Sequence, residues 1–150
     1  MALPELPRDF KEFLKSLTSN GVEYLLVGGY AVAFHGYLRA TNDLDIWVKA
    51  SQENAARIDR ALRDFGFQLP DQSLEWFLLP NKMFRMGVPP IRIEILTGIS
   101  GVEFETAYAE REFVTLDEIT VPVISLPRLR QNKRASGRAK DLADLENLPG

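Results

Sequence analysis

The sequence predicts an α+β domain, and three observations carry that expectation. Apolar residues recur at helical spacing in residues 8–19 and 52–65, whereas residues 43–49 and 91–96 alternate at the period of a strand. Glycine and proline punctuate the boundaries between such segments. At 150 residues, 45% hydrophobic and 26% charged, the chain suits one domain over 1–150, with a core over about 22–124 and a helical region over about 125–148.

In order, Phe10, Phe13, Leu14 and Leu17 form the apolar stripe of a first helix that stops at Asn20-Gly21. Val22 to Val27 reads as a buried strand. After Gly28-Gly29, the alanine-rich run Tyr30 to His35 reads as a short helix ended by Gly36. From Asp43 onward, Leu44, Ile46 and Val48 take one face of a strand, and Asp43, Asp45, Trp47 and Lys49 take the other. Ser51 is placed to cap a helix from Gln52 to Phe65, with Ala56, Ile58, Ala61, Leu62 and Phe65 inward. Leu74 to Leu79 reads as a short helix. Phe84 to Val88 and Ile91 to Leu96 read as strands meeting at Pro89-Pro90. Phe104 to Glu110 is helical, Glu112 to Thr115 and Ile119 to Val123 are short strands, Ser125 caps a helix near Pro127, and Asp141 to Leu148 forms the last helix.

Composition narrows the function. With no cysteine and a single histidine, neither a disulfide framework nor a zinc site of several imidazoles can form. No apolar run approaches membrane-spanning length and Met1 to Asp9 has no signal-peptide core, so a cytoplasmic protein with no membrane contact is expected. Net charge is −3, yet residues 128–140 hold six basic side chains and no acid. That segment suggests a polyanion contact or a paired helix surface, while the acidic body argues against bulk binding to DNA.

Residues two apart on a strand point to one side, about 6.5–7 Å apart along the chain, so Asp43 and Asp45 can jointly hold Mg²⁺, with Mn²⁺ as a substitute. Glu94, flanked by Ile93 and Ile95, is the best third carboxylate. A salt bridge to Arg92 is its competing role. Gly28 and Gly29 close a strand and open a helix, where bare backbone can approach phosphate oxygens. Arg39 is placed to bind phosphate or to pair with an acid, and Thr41 to fix the loop before the acidic strand. His35 suits structural capping better than proton transfer, and Trp47 suits either stacking on a base or a half-buried structural role. Lys133 and Lys140, seven apart, share a helix face if the helix survives Gly137, and suit either phosphate or nucleic-acid contact or a plain solvated basic surface. Asp141 and Asp144 are the natural partners of those bases.

The run Gly28-Gly29, Asp43-Leu44-Asp45 and Ile93-Glu94-Ile95 resembles the nucleotidyltransferase superfamily with a DNA polymerase β-type palm. The wider segments VGGYAVAFHGYLRATNDLDIWV and SGRAKDLADLENL are similar to small bacterial nucleotidyltransferases related to the AbiEii and MNT toxin–antitoxin proteins. The resemblance spans roughly residues 22–148. It implies a mixed sheet of about five strands flanked by helices, with NTP and Mg²⁺ as substrate and cofactor and pyrophosphate as the leaving product. On these positions it implies a triphosphate cradle at Gly28 and Gly29, metal binding by Asp43 and Asp45, and a metal-ligand or general-base role for Glu94, where many members have aspartate. A tRNA or a partner protein is the favoured acceptor, with a cognate toxin or antitoxin or a second copy completing the platform. The alternatives are a non-catalytic NTP- or partner-binding antitoxin and an antibiotic nucleotidyltransferase.

Overall fold

A computed structural model describes residues 6–70, 73–87, 91–116 and 118–150 of the chain. Val88, the expected Pro89-Pro90 turn and residues 1–5 of the N-terminal segment lie outside them. Helix α1 (Arg8–Ser19) buries Phe10, Phe13, Leu14 and Leu17, as its apolar spacing requires. It leads into β1 (Tyr24–Val27), four residues buried on both faces. Helix α2 (Gly28–Phe34) begins at the glycines themselves, so β1 passes directly into it. The acidic strand β2 (Asp43–Val48) follows, and then α3 (Gln52–Asp64), capped by Ser51 through a bond from the Asn54 amide.

A short helix α4 (Ser73–Trp76) precedes the strands β3 (Met83–Met86) and β4 (Arg92–Leu96). After α5 (Phe104–Ala109) come β5 (Glu112–Leu116) and β6 (Ile119–Val123), then the helices α6 (Leu126–Ser136) and α7 (Ala139–Asn147). The strands form one mixed six-stranded sheet in the order β3-β4-β2-β1-β6-β5, one strand more than expected. β1 pairs in parallel with β6 and β2 with β4, and the other neighbours are antiparallel. A continuous apolar core reaches from Leu6 to Leu148. No helix among the described residues is long and apolar enough to cross a membrane.

Four local expectations change. In α3 it is Ala55, not Ala56, that is fully buried, and buried Asn54 bonds the backbone of Glu23 and Lys49, tying β1 and β2 to the helix. Trp47 is only 1% exposed, with its ring edge-on to Phe104 at 5.1 Å, because α5 covers that end of the sheet face. It is therefore core and not a platform for a base. Ser125 occupies the N-cap position of α6 but makes no cap bond. One of the two amides such a cap can reach belongs to Pro127, which has no N–H. Finally, Gly137 takes a left-handed conformation at φ +66° and ends α6, so Lys133 and Lys140 stand on separate helices and share no helix face.

Candidate active site

The site begins with the pairing of β2 and β4. Their parallel register sets Asp45 directly opposite Glu94 and Asp43 opposite Arg92. The alternation that drives Leu44, Ile46, Ile93 and Ile95 into the core aims all four polar side chains at the other face. There Asp45 and Glu94 meet. Burial first, then the hydrogen bond and charge of Glu94 and the charge of Asp43, raise the Asp45 carboxyl well above the ordinary range, with the Lys140 ammonium pulling the other way. Asp45 thus favours its protonated form.

Asp43 Oδ1 lies 3.5 Å from Arg92 Nε without making a hydrogen bond, and Asp45 Oδ1 is buried with no partner. Glu94 Oε1 accepts from Arg85 Nε at 3.0 Å, and Arg85 Nη2 completes the ion pair 2.9 Å away. No three carboxylate or histidine side chains among the described residues are gathered into a ready cation cage. Two buried carboxylate oxygens without donors, next to a crowded carboxylate pair, nevertheless fit a hard divalent cation, which favours oxygen ligands and would relieve the repulsion. Asp43, Asp45 and Glu94 are the residues that could hold it.

The glycines are required here for a reason beyond the approach of a phosphate. Gly28 has φ +67°, and a Cβ on it would run into the Asp45 carboxylate. At Gly29 a Cβ would lie 2.6 Å from Thr41 Oγ1. Both glycines therefore let α2 press against the residues that carry and precede the acidic strand. His35, at the end of α2, has its ring Nε2 2.7 Å from the Ile124 carbonyl, a structural tie to the segment after β6.

A cleft of about 1010 Å³ opens over this floor, bounded by Gly28, Gly29 and Arg39, by Asn81–Met83, Leu96 and Gly98–Gly101, and by the α6–α7 junction. Lys140 lines it and makes no ion pair among the described residues. Lys133 also reaches the cleft, but its ammonium is buried between Asp141 and Asp144, 3.1 Å from each. Arg39 grips Asp144 with two bonds of 2.8 and 3.0 Å, taking the acid-pairing role of its two expected ones. Ser136 and Arg138 complete the cluster on Asp141.

Arg85 is the site residue that sequence reasoning missed. The competing partner expected for Glu94 was Arg92, and register assigns Arg92 to Asp43 instead. Alternation alone places Arg85 on an edge-strand face, but only the β3–β4 register brings it to Glu94.

A family model described as aminoglycoside-2''-adenylyltransferase matches residues 9–148. Among solved structures, a candidate nucleotidyltransferase from Thermotoga maritima superposes with a TM-score of 0.60 at 18% identity, covering 93% of this chain and 89% of that one. A lincosamide antibiotic adenylyltransferase, LnuA, solved with lincomycin bound, superposes with a TM-score of 0.55 at 15% identity, covering 95% of each chain. No curated protein sequence gives a significant match.

Proposed function

Because the chain belongs to the aminoglycoside-2''-adenylyltransferase family and is thus a nucleotidyltransferase, we propose that it moves a nucleoside monophosphate from NTP to a hydroxyl of a small acceptor, with Asp43, Asp45 and Glu94 as the catalytic carboxylates. The single observation that carries the residue assignment is the facing of Asp45 and Glu94 on parallel strands at the floor of the cleft, with buried carboxylate oxygens left without donors. A small acceptor is supported by the description of the family and by the lincomycin-bound neighbour.

The basic segment that favoured tRNA or a protein as acceptor is largely occupied within the fold. Arg128 pairs with Glu110, Arg130 donates to the carbonyls of Leu145 and Pro149, and Lys133 and Arg138 hold Asp141. Arg134 and Lys140 are left, too few for a polyanion surface. A toxin–antitoxin context gains no support from this arrangement.

In the proposed reaction the acceptor oxygen attacks the α-phosphorus of NTP. The bond to the bridging oxygen breaks, and pyrophosphate leaves with its electron pair. Divalent cations held by the three carboxylates would neutralise charge on the phosphates. Lys140, at the rim, stabilises the departing pyrophosphate as a point charge, and the backbone of Gly28 and Gly29 lies open to the phosphates. Glu94 accepts the hydroxyl proton. Arg39 acts through Asp144, holding α7 and hence Lys140 against the loop before β2.

The test is pyrophosphate release from each of the four NTPs with Mg²⁺ or Mn²⁺ and a panel of hydroxyl acceptors, with NTP binding followed by calorimetry. Acceptor-dependent release that drops at least about 10³-fold in Asp45→Asn, at unchanged circular dichroism, is the expected result. Release that survives in Asp45→Asn, or a folded wild type that neither binds NTP nor releases pyrophosphate, would end the proposal.

A further inference from the structure

The strand order separates the two ends of the cleft. On the shared sheet face one row crosses from Val27 through Asp45 and Glu94 to Arg85, and the next ends on Leu96 and Met83. The paired glycines stand at the β1 end, the carboxylates in the middle and β3 at the far edge. With the triphosphate lying toward the glycines, the acceptor must approach the α-phosphate over the β3–β4 end.

That end has a definite chemistry. Half-buried Leu96 and Met83, which is 47% exposed, present apolar surface to the cleft. Arg85 stands on Glu94 and Arg92 beside Asp43, while Lys82 lies 5.2 Å above the ring of Trp76. Among the described residues the cleft is lined by three carboxylates, Asp45, Glu94 and Asp141. The first two face the reacting phosphate, and Asp141 is already satisfied by Lys133, Arg138 and Ser136. None is left to receive an ammonium group.

Resting on the transfer reaction above, we propose that the acceptor is an uncharged hydroxyl compound with an apolar face, seated on Met83 and Leu96. Polyammonium compounds are excluded by Lys82, which lines this end of the cleft, and by the lack among the described lining residues of a carboxylate left for an ammonium group. The acceptor thus differs in charge from the aminoglycosides in the family's description. Like charges without intervening carboxylates repel a polycation, and the apolar pair gains only from a ligand that removes it from water.

The experiment compares kcat/KM for pyrophosphate release with octyl β-glucoside and chloramphenicol, both uncharged, hydroxyl-bearing and apolar on one side, against kanamycin, a polyammonium compound. At least one uncharged compound is expected to exceed kanamycin by tenfold or more. In the double variant Lys82→Glu with Met83→Glu, both at exposed or half-exposed positions, the ratio should move at least tenfold toward kanamycin. Preference for kanamycin, reaction with none of the three, or an unchanged ratio in the folded variant overturns the proposal. NTP calorimetry run alongside distinguishes the levels. A kanamycin preference with NTP bound leaves the transferase intact and refutes only the acceptor class, whereas absence of NTP binding refutes the transferase reading itself.

Discussion

At the scale of single residues, Gly28 shows how two constraints converge on one position. Its positive φ costs any other residue about 1–2 kcal/mol, and its missing side chain is the space that Asp45 occupies. Gly28→Ala should therefore damage function more than folding. We expect the melting temperature to fall by roughly 5 °C or more, from strain of that size. Turnover should drop at least about 10²-fold, because the displaced carboxylate no longer faces Glu94 at reacting distance. Differential scanning calorimetry and single-turnover kinetics on one preparation would check this, and a loss of stability with turnover intact would show that Asp45 accommodates the methyl group. The importance of the glycine pair was legible in the sequence from its place between a strand and a helix. Its contact with Asp45 was not, since that depends on the antiparallel register that sets Val27 against Asp45.

Among the elements, the α6–α7 hairpin is held by charge rather than by an apolar stripe. Lys133 sits between Asp141 and Asp144, and Arg39 extends the cluster to the segment before β2. Lys133→Met leaves two buried carboxylates short of a partner and should cost about 3 kcal/mol in urea unfolding, because breaking a buried pair exposes the full desolvation penalty. The same cluster sets an acid limit. Burial opposes ionisation of Asp141, but hydrogen bonds from Ser136, Arg138 and Lys133 together outweigh it and bring the carboxyl down to about 2. Asp144 is lowered against the same opposing burial by Arg39 and Lys133. Both groups are depressed in the folded state, so the stability they contribute is complete above the ordinary aspartate range and is lost as pH falls from about 4 toward 2. Urea midpoints measured from pH 5 to pH 2.5 should decline more steeply for wild type than for Asp141→Asn. Equal slopes would place the acid sensitivity elsewhere. Both helices were visible in the sequence, as was the pairing of Asp141 and Asp144 with nearby bases. What sequence spacing missed is that the left-handed Gly137 folds α7 back, turning Lys133 inward and leaving Lys140 at the cleft.

For the whole molecule, the sheet order is what assembles the site, and it is also what sequence reasoning could least supply. Strand period put Asp43, Asp45 and Glu94 on polar faces, but nothing local states that β4 pairs in parallel with β2 rather than lying elsewhere in the sheet. Nor does a net charge of −3 disclose a cleft flanked by Arg39, Lys82, Arg138 and Lys140. Once assembled, the fold carries a cost that its ligand should remove. Burial and the neighbouring Glu94 and Asp43 oppose ionisation of Asp45, and two carboxylate oxygens are buried without donors. In the proposed reaction a divalent cation with NTP binds the folded chain and has no comparable site in the unfolded one. At about a hundredfold over the dissociation constant it should stabilise by about 2.7 kcal/mol, which for a chain of this size is a rise of roughly 5–10 °C in melting temperature. In Asp45→Asn the cost of that buried carboxyl is already gone and one ligand is missing. The apo variant should melt above apo wild type near neutral pH, yet gain at most a small part of the shift when Mg²⁺ and NTP are added. If instead the variant melts lower without ligand and gains the same shift with it, then Asp45 supports the fold and the cations bind without it. The crossing of the two melting curves, with the variant the more stable without ligand and the less stable with it, is the signature of a carboxylate kept for its ligand at the expense of the empty fold.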